Sequence, residues 1–250
     1  MMNHKLPIGG KATAMSSTST RLTPLLFLIM FVIGTDTFLI SPLLPELQAQ
    51  FQVPTERAGW MVGAYTLGAA GFALIAGPLS DGLNRKRVLL AGLAGFAVST
   101  ALCGLASDFW TMCLLRFLAG VSAAFTTPQV WAAIPSLYPQ DRVPRMMGIA
   151  YAGLAASQAF GVPIGSGLAQ VRWPLPFFAI GLFSLLLAVC VQLLVPDIKP
   201  RMAAGARRSP LRRYVPLLTS ARGRGGFLGY FLIHLGSNAA FAFLGKWLTV

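Results

Sequence analysis

Apolar residues in this chain gather into seven long blocks: Leu22 to Pro42, Gly59 to Leu79, Val88 to Leu105, Phe109 to Ile134, Met146 to Val171, Pro174 to Val195 and Phe227 to Val250. A block of about 20 apolar residues is what a helix needs to cross roughly 30 Å of hydrocarbon at ~1.5 Å per residue. An unpaired backbone amide in lipid costs several kcal/mol, so each block is either a helix or a strand of a closed barrel. Barrel strands alternate apolar and polar positions over about 10 residues, and these blocks do not alternate. The pattern therefore predicts an all-α integral membrane protein whose side chains mostly meet lipid.

Loop charge then orients the helices. Lys5, Lys11 and Arg21 precede the first block, Arg85, Lys86 and Arg87 follow the second, Arg142 and Arg145 follow the fourth, and eight Lys or Arg lie between Lys199 and Arg224. On the other side stand only Arg57 and Arg172. Basic residues mark the cytoplasmic face, which places the N-terminus and the long loop there. The net charge of +13 thus has a topogenic origin. Nucleic acid is not expected as a partner, because no basic segment carries the interleaved aromatics of a stacking platform.

The divisions follow: a cytoplasmic tail over 1–21, a six-helix bundle over 22–195, a basic cytoplasmic linker over 196–226, and a seventh transmembrane helix over 227–250. The first block lacks a small-residue cleavage pattern and is expected to stay as a span. A chain whose last block runs to its final residue is expected to be an incomplete copy of something longer. It is then a non-transporting fragment or a half that needs a second chain.

Cys103, Cys113 and Cys190 sit inside apolar blocks without a Cys-x-x-Cys pair or a His at ligand spacing, so they are expected to pack rather than bind metal or cofactor. Trp60, Trp110, Trp131 and Trp173 lie near block ends and suit interfacial anchoring. An enzyme of the membrane is not expected, since there is no Ser in a G-x-S-x-G setting, no H-E-x-x-H and no second intramembrane carboxylate.

Two ionisable residues break the apolar blocks in a way that demands a reason. Asp36 is the only acid well inside a block, and such a residue costs about 2.5–3.5 kcal/mol on insertion scales unless neutral or paired. Proton binding, a structural polar contact and substrate contact are each open to it. Arg116 cannot shed its charge and needs a carboxylate, carbonyls or a wet cavity. Either it serves a cavity with Asp36 or it holds helix ends. Asp36 lies about 14 residues past the start of its block, hence roughly 21 Å in, and Arg116 lies roughly 20 Å from the same face. The two are therefore expected at one depth.

Several short motifs occur in order. Gly77-Pro78-Leu79-Ser80-Asp81-Gly82-Leu83-Asn84-Arg85-Lys86-Arg87 joins the second and third blocks, Pro42-Leu43-Leu44-Pro45 closes the first, and Leu115-Arg116-Phe117-Leu118-Ala119-Gly120 lies in the fourth. Gly161-Val162-Pro163-Ile164-Gly165-Ser166-Gly167 lies in the fifth. Together these resemble the major facilitator superfamily, and within it the drug:proton antiporters and metabolite exporters. In the first motif Gly82 stands where the family has a basic residue and Asn84 where it has Gly. The resemblance implies the first seven of twelve helices, with helices one and four lining a central cavity. It also implies proton-coupled export of a small organic molecule by alternating access between two bundles. Partners would then be lipid, substrate, protons and a second, C-terminal half.

On that resemblance Asp36 and Arg116 are candidates for proton coupling. Gly77, Asp81, Arg85, Lys86 and Arg87 are candidates for a cytoplasmic gate, the alternative being a solvated turn that only fixes topology. Gly161, Pro163, Gly165 and Gly167, with Gly148 and Gly153, suit close helix packing or a hinge, with Pro163 bending the span. His234 and Asn238, four apart, share a helix face and either line the cavity or bond to neighbouring helices.

A reporter active only in the cytoplasm should be active when fused after Arg208 and silent when fused near Trp173. The reverse pattern would overturn the orientation.

Overall fold

The computed structural model describes residues 10–80, 83–198 and 219–226, then 228, 229, 231–233 and 236; for 10–21, 55 and 78 it describes the backbone alone. The chain divides into two compact units, Met1–Arg201 and Met202–Val250. In the first lie α1 (Gly10–Phe51), α2 (Thr55–Ser80), α3 (Arg85–Cys103), α4 (Phe109–Leu137), α5 (Val143–Ala156), a π turn (Ser157–Gly161), α6 (Val162–Val171) and α7 (Leu175–Leu194). No strand occurs among the described residues.

Among the described residues, six stretches are long and apolar enough to cross a membrane: Leu22–Phe51, Glu56–Gly77, Arg85–Cys103, Phe109–Leu137, Val143–Val171 and Leu175–Leu194. They coincide with the first six apolar blocks. Side-chain bonds show the up-and-down order. Thr23 near the start of the first span meets Tyr138 at the end of α4 (3.2 Å) and Met146 at the start of α5 (3.4 Å). At the far ends, the Phe51 and Trp173 rings meet edge to face at 5.7 Å.

The first helix differs from expectation. Pro42 and Pro45 do not close it; α1 runs through Pro24, Pro42 and Pro45 to Phe51. Breaking a helix in lipid strands several carbonyls, whereas a proline frees only one or two that neighbours can satisfy. Termination comes later, at Gln52, whose φ of 53° is left-handed. The Val53 amide then reaches back to Gln48 O at 3.2 Å, and Pro54 prevents continuation.

Caps set the other starts. Asn84 begins α3 by accepting the Lys86 amide at 3.0 Å. Asp108 begins α4 by accepting the amides of Trp110 and Thr111, both at 2.9 Å, and the Thr111 hydroxyl at 2.6 Å. Those bonds, the Thr111 hydroxyl foremost, hold the exposed Asp108 carboxyl below the usual carboxylate range. The cap is complete above the ordinary Asp value and is lost as pH falls through the lowered one.

Small residues fix how closely the helices approach. A Cβ on Gly68 would run into Phe117 O and one on Gly120 into Tyr65 O, so α2 and α4 touch backbone to backbone. α1 packs in the same way on the fifth span: Gly153 lies against Phe27 O, Gly161 against the Thr35 side chain and Gly165 against Leu39. Gly167 and Gly148, expected to share this packing, face open space instead.

Pro163 was expected to bend the fifth span, but the irregularity lies one turn earlier, in the π turn, where the Val162 amide bonds Ser157 O. The buried positions explain it: Gly153, Ser157, Gly161, Gly165 and Ala169 recur every fourth residue. At 3.6 residues per turn each such step drifts by about 40°. One widened turn takes up most of a residue and keeps the small residues facing α1.

In the second unit, residues 221–226 are already helical, within the stretch expected to be linker. Ser220 caps them, its Oγ accepting the Gly223 amide at 3.0 Å. Most of the seventh block, with His234 and Asn238, lies outside the described residues.

Replacing Gly153 by Leu should destabilise the detergent-solubilised protein by about 1–3 kcal/mol through overpacking against α1. Gly167→Leu should stay within ~0.5 kcal/mol of the parent. Thermal unfolding followed by tryptophan fluorescence separates the two, and equal effects would refute this packing.

Candidate functional site

Asp36 sits midway along the first span with its neighbour Thr35 also buried, and Arg116 sits two turns into α4. Each side chain is 1% exposed. Arg116 Nη1 donates to Asp36 Oδ2 at 2.7 Å, and Nη2 donates to the backbone carbonyl of the same residue at 3.3 Å. Both arms of the guanidinium thus end on one residue of α1. These are the only buried charged side chains among the described residues. Removing one partner of such a pair typically costs about 3–5 kcal/mol, because the other is left as an uncompensated charge.

Depth counting placed the two at one level, and the structure puts them in contact. It differs in their surroundings: the pair is enclosed within the bundle instead of lining an open cavity. Two open grooves, of about 720 and 300 Å³, are lined by neither residue.

Four further helical residues, Tyr65, Thr37, Thr100 and Cys103, complete the site. Tyr65 of α2 lies with its ring beneath Arg116, the guanidinium carbon 4.4 Å from the ring centre. The Tyr65 hydroxyl is 3.0 Å from Thr37 Oγ1. Thr37 already donates its one proton to Ile33 O at 2.8 Å, so the Tyr65 O–H is the donor in that pair. From α3, the wholly buried Thr100 hydroxyl neighbours the Asp36 carboxylate without meeting hydrogen-bond geometry, and Cys103 lies close by. Among the described residues, Asp36 Oδ1, Arg116 Nε and Thr100 Oγ1 find no hydrogen-bond partner.

A hydroxyl or a tyrosine in an apolar helix draws no attention in a sequence. What singles out Tyr65 and Thr100 is which face meets a neighbour, and these helices are apolar nearly all round.

The α2–α3 connection makes a second polar cluster. Asp81 lies outside the described residues. Gly77 O accepts the Ser80 hydroxyl at 2.9 Å, and Ser80 Oγ in turn accepts Gln129 Nε2 of α4, also at 2.9 Å. The basic cluster turns toward the end of α7. Asn84 Nδ2 donates to Asp197 at 2.7 Å, the Arg85 amide to Ile198 O at 3.2 Å, and Lys86 Nζ to Gln192 O at 2.8 Å. Arg87 lines the larger groove. Asn84, standing where the family has Gly, thereby caps α3 and fastens Asp197 at once.

Among the other candidates, Gly161 and Gly165 pack on α1, whereas Pro163 and Gly167 are exposed. Trp60 and Trp110 are exposed, as anchors should be, but Trp131 packs on Tyr151 with tilted rings 4.7 Å apart and Trp173 packs on Phe51 and Phe177. The three cysteines are free thiols, two buried and one half-buried. No group of three His, Cys, Asp or Glu that could hold a metal occurs among the described residues.

Comparison with known proteins adds the lineage. The chain is 54% identical over 225 residues to the uncharacterized MFS-type transporter YceJ of Bacillus subtilis (strain 168), a match covering 90% of this chain and 57% of that protein. It is 31% identical over 172 residues to Multidrug resistance protein 1 of the same organism, covering 69% of this chain and 43% of that one. Among solved structures, a bacterial homolog of the human lysosomal transporter Spinster, inward-facing and unoccupied, matches with a TM-score of 0.59 and 21% identity, covering 80% of this chain and 47% of that chain. The chain therefore spans about half the length of the relatives it matches. The family model described as Major Facilitator Superfamily matches residues 26–250, which with the six-helix fold and the buried Asp36–Arg116 pair establishes that the chain belongs to that superfamily.

Proposed function

We propose that this chain supplies the N-terminal half of a secondary transporter, not an enzyme, that exports a small organic molecule in exchange for protons across a bacterial inner membrane. The remaining half would be carried on the same polypeptide or on a second chain, a reading favoured by the 57% and 43% shares of the two relatives' lengths. Export is favoured by the name of one relative, Multidrug resistance protein 1. Loop charge favours a cytoplasmic start for α1.

The observation that carries the coupling proposal is the ion pair sealed between α1 and α4, at 2.7 Å and 1% exposure. An intramembrane carboxylate held by a permanent cation is stable in its charged form only while the cation stays. Sliding α1 against α4 would separate the two and leave a desolvated carboxylate, whose neutral form is then favoured. Asp36 would take a proton in one conformation and release it when Arg116 returns. Arg116 would serve as the counter-ion throughout, since it keeps its charge.

The α2–α3 loop, with Gly77, Asp81, Arg85, Lys86 and Arg87, would act as the cytoplasmic gate. Its bonds to Gln192, Asp197 and Ile198 favour its moving as one body with α7. The π turn that ends at Gly161, followed by Pro163 and Gly165, offers a hinge in the fifth span. His234 and Asn238, outside the described residues, would serve as candidates for substrate contact.

In proteoliposomes holding the complete transporter, with ethidium as the transported probe, Asp36→Asn should bring pH-gradient-driven flux down to the empty-liposome level. Gradient-free exchange of the probe should remain within about tenfold of the parent, since the loss falls on coupling and not on binding. Gradient-driven flux at the parent rate would remove Asp36 from the mechanism.

A further inference from the structure

Protonating Asp36 creates a problem that the ion pair by itself does not solve. The guanidinium of Arg116 stays charged and buried after its counter-ion is neutralised, and a lone buried charge is strongly unfavourable. Two partners stand by it here, the Asp36 backbone carbonyl at 3.3 Å and the face of Tyr65 at 4.4 Å, and of these only the ring, carried on α2, stays when α1 slides. The ring is held in place from two directions. A Cβ on Gly120 of α4 would meet Tyr65 O, so the backbone of α2 lies directly on α4 there. The phenol hydroxyl donates to Thr37, the residue after Asp36, at 3.0 Å. Tyr65 is thus fastened to both helices that carry the pair and is 5% exposed.

We infer that Tyr65 is a positioning residue for proton coupling: its ring face holds the Arg116 guanidinium while Asp36 is protonated, and its hydroxyl, through Thr37, sets the ring against α1 while the pair is closed. The inference rests on the coupling role proposed for Asp36. The π face carries negative charge density, and its attraction for the cation counts for most once Asp36 is neutral and no carboxylate competes for the guanidinium. The ring therefore favours the protonated state of Asp36 over the ionised one. Removing the face should make Asp36 harder to protonate, whereas removing only the hydroxyl should leave the balance nearly as it was. The charged and titratable groups facing Asp36 are Arg116 from α4, Tyr65 from α2 and Cys103 from α3. The buried residues of α5, α6, α7 and the π turn carry no titratable side chain.

The test is infrared difference spectroscopy of the complete transporter in nanodiscs, following the protonated-carboxyl stretch as pH is varied, with Asp36→Asn subtracted to isolate Asp36. Tyr65→Phe should keep the parent midpoint. Tyr65→Leu should lower it by about one pH unit, the size expected of a desolvated cation–π contact. Should Tyr65→Leu fail to fold, phenylalanine analogues bearing successively more fluorine at position 65 keep the shape while draining the π face. The midpoint should then fall step by step with fluorine number. A midpoint unmoved by fluorination, or moved as much by Tyr65→Phe as by Tyr65→Leu, would overturn the role of the ring. A parent protein with no carboxyl band that depends on Asp36 at any pH would instead overturn the coupling role, and this inference with it.

Discussion

A guanidinium that cannot be discharged, buried between helices in a membrane protein, dictates much of what surrounds it. Arg116 requires an anion or a set of dipoles at its own depth, and α1 provides both in Asp36, through a carboxylate oxygen and a backbone carbonyl. That requirement fixes the rotation of α1 about its axis and its height relative to α4. The π face of Tyr65 and the Thr37 hydroxyl extend the constraint to α2, and Thr100 and Cys103 bring α3 to the same point. Four of the six spans are thus referenced to one ion pair.

Lipid adds no hydrophobic force between helices, so the rest of the bundle depends on close fit. Backbone contact at Gly68 and Gly120 joins α2 to α4, and the four-residue ladder of small residues joins the fifth span to α1. The π turn keeps that ladder in register. Such an interface is smooth on one side, since glycine presents no knob, and this suits a helix that must slide relative to its neighbour while staying packed. The same geometry that seals the ion pair leaves a route by which α1 could shift and open it.

How far the sequence foretold this depends on which physical signal each feature leaves. The six spans were legible because lipid punishes an unpaired amide so heavily that long apolar blocks have one solution. The common depth of Asp36 and Arg116 was legible because helical rise is fixed. The end of α1 was not: Pro42 and Pro45 read as breakers, while the residue that stops the helix is an inconspicuous Gln52 in a left-handed turn. The idle Gly167 and the contacting Gly161 look alike in the sequence, since a glycine carries no record of which neighbour it meets. Tyr65 was missed for the same reason: its value lies in what stands over its ring. Asn84 was noted only as a departure from a motif, and its second bond, to Asp197, depends on where α7 ends.

The central claim is that the proton leaves or joins Asp36 when the pair with Arg116 opens. Proton exchange on substrate binding tests it most directly, read with a pH-sensitive dye in weakly buffered detergent solution of the complete transporter, with ethidium as the probe. The account predicts a change of about one bound proton per bound probe in the parent and none in Asp36→Asn, since substrate and proton are linked through that one group. An equal proton change in both proteins would contradict it.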